Sequence, residues 1–169
     1  MDIAQAIKAR RSIRRYTGEQ LTDQQLQILL EAGFYAPTAR NLQPTSFVVI
    51  RDPALLERIA QEQPNAKYCT EAGCGILVCG DQTIDADGYL AENAAAAIQN
   101  MMLTAHGMGL GTVWCGVYPR EPRVESFRDI CGLPAHILPV GFMIVGYPAE
   151  EKETPARVRP EMIHMDRWK

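Results

Sequence analysis

Residues 10 to 16 read RRSIRRY, with Arg10, Arg11, Arg14 and Arg15 around a single serine, Ser12. Guanidinium forks match phosphate oxygens, and a serine hydroxyl can add one more hydrogen bond, so the cluster could hold a phosphate. The plainer alternative is a solvated helix end, where basic side chains suit the negative C-terminal dipole. Further on, APTARNLQPTSF sets Thr38, Arg40, Asn41 and Gln43 between Pro37 and Pro44. Those amides and hydroxyls could read the polar edge of a planar heterocycle, or the segment could be an ordinary loop. In GMGLGTVWCG the glycines Gly107, Gly109 and Gly111 alternate singly ahead of a strand. That is not the dinucleotide-binding fingerprint, whose glycines follow a strand and open a helix, so the glycines read as a helix stop. Arg157 and Arg159 fall on one side of an extended tail. His106, His136 and His164 are scattered, with no spacing for a metal or a catalytic triad, and no serine sits in a nucleophile elbow.

The bulk properties limit what these residues can serve. At 169 residues the chain suits one domain, and 47% hydrophobic with 22% charged residues is the balance of a folded globular protein. The net charge of -3 gives no basic field to attract nucleic acid, so any anion site must be local. No apolar stretch approaches the roughly 20 residues that span a bilayer. The first residues lack the apolar core of a secretory signal. Five cysteines, Cys69, Cys74, Cys79, Cys115 and Cys131, form no C-x-x-C pair and read as free, mostly buried thiols. Together these features predict a cytoplasmic protein without membrane or nucleic-acid partners, metal or disulfides.

Several elements can carry the candidate residues. Asp2 can cap a short helix with Ile3 and Ile7 on one face. Thr22 and Gln25 form a capping box ahead of Leu26, Leu29 and Leu30, in a helix that ends by Pro37. SFVVI is a short strand, and Asp52 with Pro53 starts another helix. GILVCG is a continuous apolar run, read as a buried strand. The alanine-rich stretch 89–106 is the strongest helix pattern and should lie in the core or at a subunit contact. TVWCGVYP is a strand, EPRVESFRDICG a helix stopped by Gly132, and VGFMIVGYP the last strand. Helices alternating with strands favour, on pattern alone, a parallel sheet.

Taken in order, the motifs resemble those of the flavin-dependent nitroreductase family. The set is R-R-S-x-R after the first helix, A-P-T-x-x-N-x-Q-P, then G-L-G-T-x-W after a long helix and a basic pair near the end. The resemblance covers nearly the whole chain and replaces the parallel sheet by an α+β fold. It implies one domain over 1–169, with a central, mostly antiparallel sheet flanked by helices, in an intertwined homodimer whose C-terminal segments reach across.

The resemblance also implies FMN as cofactor and NADH or NADPH as electron donor. Arg10, Ser12, Arg157 and Arg159 would hold phosphate and ribityl oxygens, with Arg11 near the ribityl chain or ring edge. Arg14 would place its charge by flavin N1 and the C2 carbonyl, where a cation favours the negatively charged reduced form. Pro37, Thr38, Ala39 and Asn41 would lie against the ring in the other subunit, and Asn65, just before the second strand, would bind the pyrimidine edge. Val113, Trp114, Cys115 and Gly116 would form the strand end beside N5. No side chain is expected to act as catalytic acid or base. A small-molecule acceptor, such as a nitroaromatic or quinone, would complete a ping-pong cycle. Two alternatives share every one of these residues: a same-fold reductase of another metabolite, and a non-enzymatic FMN carrier or redox sensor. The chain departs from the pattern in Thr45, where many relatives have tryptophan, in Gly116, which offers only its backbone, and in its length, which leaves little room for a helical lid.

Overall fold

The computed structural model describes residues 2–86 and 88–168. Local sequence accounts for several of the helix boundaries. Asp2 caps α1 (Ile3–Ala9) by accepting from the Ala4 N–H at 3.2 Å. The Thr22–Gln25 box closes in both directions at the start of α2 (Asp23–Phe34). Asp52 accepts from the N–H groups of Ala54 and Leu55 to open α3 (Pro53–Glu62). At the other end of α6 (Glu121–Cys131), Gly132 takes the left-handed conformation that terminates a helix, φ 62°. The apolar stripe 89–106 forms α5 (Leu90–Gly107), and Leu90, Ala94, Ala97, Ile98, Met101, Met102 and Ala105 are buried along it. Each of its Ile and Met side chains contributes about 1.5–3 kcal/mol by leaving water.

Four strands, β1 (Thr45–Ile50), β2 (Gly75–Asp81), β3 (Gly111–Gly116) and β4 (Ile137–Gly146), form one sheet in the order β1-β2-β4-β3. Every pairing is antiparallel, with Thr45 opposite Gly80, Gly75 opposite Ile144 and Gly116 opposite Gly141. The parallel sheet read from helix–strand alternation is therefore corrected. The misleading signal was the alternation of helices with strands, which elsewhere marks a parallel sheet covered on both faces. Here an antiparallel strand is covered on both faces. Leu77 and Cys79 pack with Leu56, Ile59 and Phe127 of α3 and α6, while Ile76 and Val78 pack with Leu29, Ile98 and Met101 of α2 and α5. Phe142 and Ile144 of β4 join the first layer, Met143 and Val145 the second. The backbones must approach closely for this: a Cβ on Gly75 would lie 2.1 Å from the Phe142 ring.

Some expectations needed revision. The four-residue helix α4 (Cys69–Ala72) is too short to show a period, and it separates Asn65 from β2, so Asn65 does not directly precede that strand. Helix α2 stops at Phe34, before Pro37. The Ile3 and Ile7 face of α1 is not covered: they are 75% and 55% exposed, and only Ala6 is buried. The tail forms a single 3-10 turn, Pro160–Met162, with Val158, Ile163, Met165 and Trp168 exposed. Among the described residues no helix is long and apolar enough to cross a membrane, no group of side chains suits a metal, and all five cysteines are free.

Candidate active site

The segment that opened the sequence runs beside β3, the edge strand of the sheet. Ile13 donates its N–H to the Thr112 carbonyl at 2.9 Å, and Ser12 bridges Thr112 in parallel. In such an extended segment side chains alternate. Ile13 turns inward and is buried, while Arg14 is exposed and lines a cleft of about 350 Å³. The same cleft is walled by Asn65, Lys67 and Tyr68 on one side and Val113 to Gly116 on the other. Thus Arg14, Asn65, Val113, Trp114, Cys115 and Gly116, predicted from scattered motifs, meet at one place.

Hydrogen bonds fix this wall. The Cys115 thiol donates to the Asn65 carbonyl at 3.1 Å, tying the Pro64–Ala66 turn to β3. Burial pushes the Cys115 thiol up to about 11, eased in part by Arg14, so at neutral pH it is a protonated donor rather than a nucleophile. Arg123 donates to the Gly116 carbonyl at 2.7 Å and closes the strand end. The Trp114 indole lies over Gly141, where a Cβ would come within 2.5 Å of its Nε1. On the side away from β4, the Ser12–Ile13 segment meets β3 at Thr112, and beyond that bridge every second backbone N–H of the strand faces outward.

A second cavity, about 380 Å³, lies against the first half of the same segment and is lined by Arg10, Arg11, His106, Thr112, Glu150 and Lys152. Arg10 is held below the usual guanidinium range, first by burial and then by the charges of Arg11 and Arg157. That places Arg157 beside the cluster. Arg159 instead heads the exposed Pro160–Met162 turn and lines neither cavity. Ser12 also lines neither cavity; its carbonyl accepts from Lys152 Nζ at 2.8 Å. Glu150 accepts from the Arg14 N–H at 2.5 Å and pairs with Lys152 at 3.1 Å. Its carboxyl is lowered first by that N–H, then by Lys152. Three buried nitrogens in this cavity, Arg10 Nη1, Arg11 Nε and His106 Nε2, have no partner. Buried donors are ordinarily satisfied, so the donor set fits a multiply charged oxyanion such as a phosphate.

The Pro37–Asn41 segment lies elsewhere. It leads into β1, at the opposite edge of the sheet from β3. Three inter-strand spacings, roughly 14 Å, separate the two edges. Within one chain the structure does not bring Pro37, Thr38, Ala39 and Asn41 to the Arg14 cleft. The loop is strained: Arg40, Asn41 and Gln43 have φ of 52°, 56° and 53°. It is held by Asn93, whose Oδ1 accepts from the Ala39 N–H at 3.0 Å, and by Thr38 Oγ1, which accepts from the Gln43 N–H at 3.0 Å.

The nitroreductase family model matches residues 7–72 and 65–147. The chain belongs to the nitroreductase family. A Methanothermobacter thermautotrophicus protein with the provisional name NADH dehydrogenase/NAD(P)H nitroreductase is 37% identical over 99% of this chain and 88% of its own length. The crystal structure of a protein given the same provisional name, from Parabacteroides distasonis, superposes with a TM-score of 0.95 at 32% identity, covering 98% of both chains. A provisionally named nitroreductase from Desulfovibrio desulfuricans, solved in complex with FMN, superposes with a TM-score of 0.86 at 31% identity over 100% of this chain and 99% of the other. Nitroreductase-family motifs had identified Arg14, Asn65 and 113–116; they had not identified His106, Thr112, Lys152 or Lys67 as cavity residues. Lys152 carried no local signal, since its place depends on a contact across 140 positions.

Proposed function

We propose that this chain is an FMN-dependent NAD(P)H oxidoreductase, built as one domain over residues 1–169 and active as a homodimer. The observation that carries the reading is a single cleft containing Arg14, Asn65 and Val113 to Gly116, set beside a cavity of unpartnered arginine nitrogens. The FMN named in the Desulfovibrio structure and the NAD(P)H in the name of the Methanothermobacter protein support it.

When bound, FMN would supply hydride acceptance from NADH or NADPH at N5 and delivery to a nitroaromatic, quinone or similar acceptor in two half-reactions. The chain's own residues would hold and bias it. Arg10, Arg11, Ser12 and Arg157 would grip the phosphate and ribityl oxygens, with Arg159 drawn in from the tail. Arg14 would set a positive charge at the pyrimidine edge, and Asn65 would hydrogen-bond that edge. The outward N–H groups of β3 would face N5. Residues 37–41 would complete the partner's site, which agrees with their place at the far edge of the sheet. The exposed Ile3 and Ile7, together with Val158, Ile163, Met165 and Trp168 of the otherwise polar tail, supply surface for such a dimer. Five free thiols fit a reducing compartment such as the cytoplasm.

The test is to add FMN to the purified apoprotein and mix the yellow complex anaerobically with NADPH, then with NADH. Tight FMN binding, weaker FAD binding and rapid bleaching by one of the donors are expected. Failure to bind FMN would remove the proposal, and bound flavin that neither donor reduces would make the protein a carrier.

A further inference from the structure

His106 sits in the last turn of α5 and lines the Arg10–Arg11 cavity, and its Nε2 is buried without a partner. We propose that His106 is a further phosphate ligand of this site, taking up a proton as the phosphate binds, so that the phosphorylated flavin is held more tightly at acid than at alkaline pH. The inference rests on the functional reading above and concerns a residue that reading leaves without a role.

The groups around His106 define the effect. From the segment after α1 come Arg10 and Arg11, with Arg157 beside Arg10. From the chain after β4 come Glu150, Glu151 and Lys152, and Glu150 is already engaged by the Arg14 N–H and by Lys152. From α5 itself, the C-terminal carbonyls favour a cationic ring. Burial is the largest influence holding the ring below its ordinary value, followed by Arg10 and then Arg11. A phosphate entering the cavity would screen the two arginines and present acceptor oxygens to Nε2. In the imidazolium both ring nitrogens donate, so the charged form gains the most from the ligand. The sign follows. A ring neutral in the free protein and protonated in the complex contributes affinity below its bound-state value, and that contribution is lost as pH rises through it.

The experiment is a fluorescence titration of the apoprotein with FMN at about pH 6 and about pH 8, which bracket the ordinary range of histidine. Wild type and His106→Gln are compared, with riboflavin, which lacks the phosphate, as the second probe. FMN's own phosphate titration is common to both proteins and cancels in their ratio. The variant should lose about tenfold more FMN affinity relative to wild type at the lower pH than at the higher, the effect of about one charge-assisted hydrogen bond. For riboflavin the ratio should not change with pH. Calorimetry of FMN binding to wild type near pH 7.5, in two buffers of different protonation enthalpy, should show net proton uptake, and this arm needs no variant. FMN binding with a pH-independent ratio, or without proton uptake, would overturn the role of His106 while leaving the functional reading intact. No FMN binding by wild type at either pH would overturn both.

Discussion

Asn93 is a buried junction, 4% exposed, between the strained loop and the chain ahead of α5. Its Oδ1 accepts from the Ala39 N–H at 3.0 Å, and its Nδ2 donates to Asp85 Oδ2 at 3.0 Å, with Asp85 2% exposed. Asn93→Ala removes one hydrogen bond between neutral groups and one to a buried carboxylate. Those are worth about 1 and about 1.5–3 kcal/mol, so the variant should lose about 2.5–4 kcal/mol. Asn93→Asp should cost more at neutral pH. It keeps the acceptor for Ala39 but sets a second carboxylate 3.0 Å from the first. At an effective dielectric constant of 20 that repulsion is roughly 5 kcal/mol. Acidification relieves it, because one of the two acids then holds a proton. Asn93→Asp should therefore regain stability as pH falls, the reverse of what a well-paired carboxylate does. Urea unfolding at one fixed protein concentration measures both variants. Hydrogen exchange at the Ala39 amide reads the loop directly and should lose protection in Asn93→Ala but keep it in Asn93→Asp at acid pH. Asn93→Ala within about 1 kcal/mol of wild type, or Asn93→Asp without acid recovery, would show that this chain of bonds does not anchor the loop.

Three further outcomes are expected. Arg14→Ala should lower the two-electron potential of bound FMN by roughly 30–60 mV, since about 30 mV corresponds to about 1.4 kcal/mol and one charge-assisted bond is lost. Arg10→Ala should instead weaken FMN binding and leave the potential unchanged; dye-linked potentiometry showing equal shifts would refute this division of the arginines. Sedimentation of the flavin-loaded protein should give about twice the 18.8 kDa of one chain, and a loaded monomer would contradict the shared site. Iodoacetamide should label Cys115 slowly at neutral pH and faster as pH approaches its value of about 11, because the thiolate is the reactive form.

Local chemistry was legible in the sequence, and long-range adjacency was not. The Thr22–Gln25 box, the Asp52–Pro53 start and the Gly132 stop each lie within a few residues and can be read as patterns. The order β1-β2-β4-β3 cannot, because nothing in β4 states that it inserts between β2 and β3. The same holds at the site. Arg10 and Arg14 were visible as a cluster, and family resemblance alone divided them between phosphate and ring; the Ser12–Thr112 bridge that sets them against two cavities was not legible. The anchoring of Ala39 by Asn93 was hidden in an alanine-rich stripe, where one asparagine looks like an interruption of the apolar face.

The loop and the cleft lie at opposite edges of one sheet, and this has a genetic consequence if each dimer joins the loop of one chain to the cleft of the other. A loop-defective chain and a cleft-defective chain, each inactive as a homodimer, would rescue one another on mixing. Every mixed dimer would carry one site with both defects and one with neither, so random exchange would restore about a quarter of the sites. Two alleles that each abolish the enzyme would then complement within a single gene product, whereas two lesions in the same half would not.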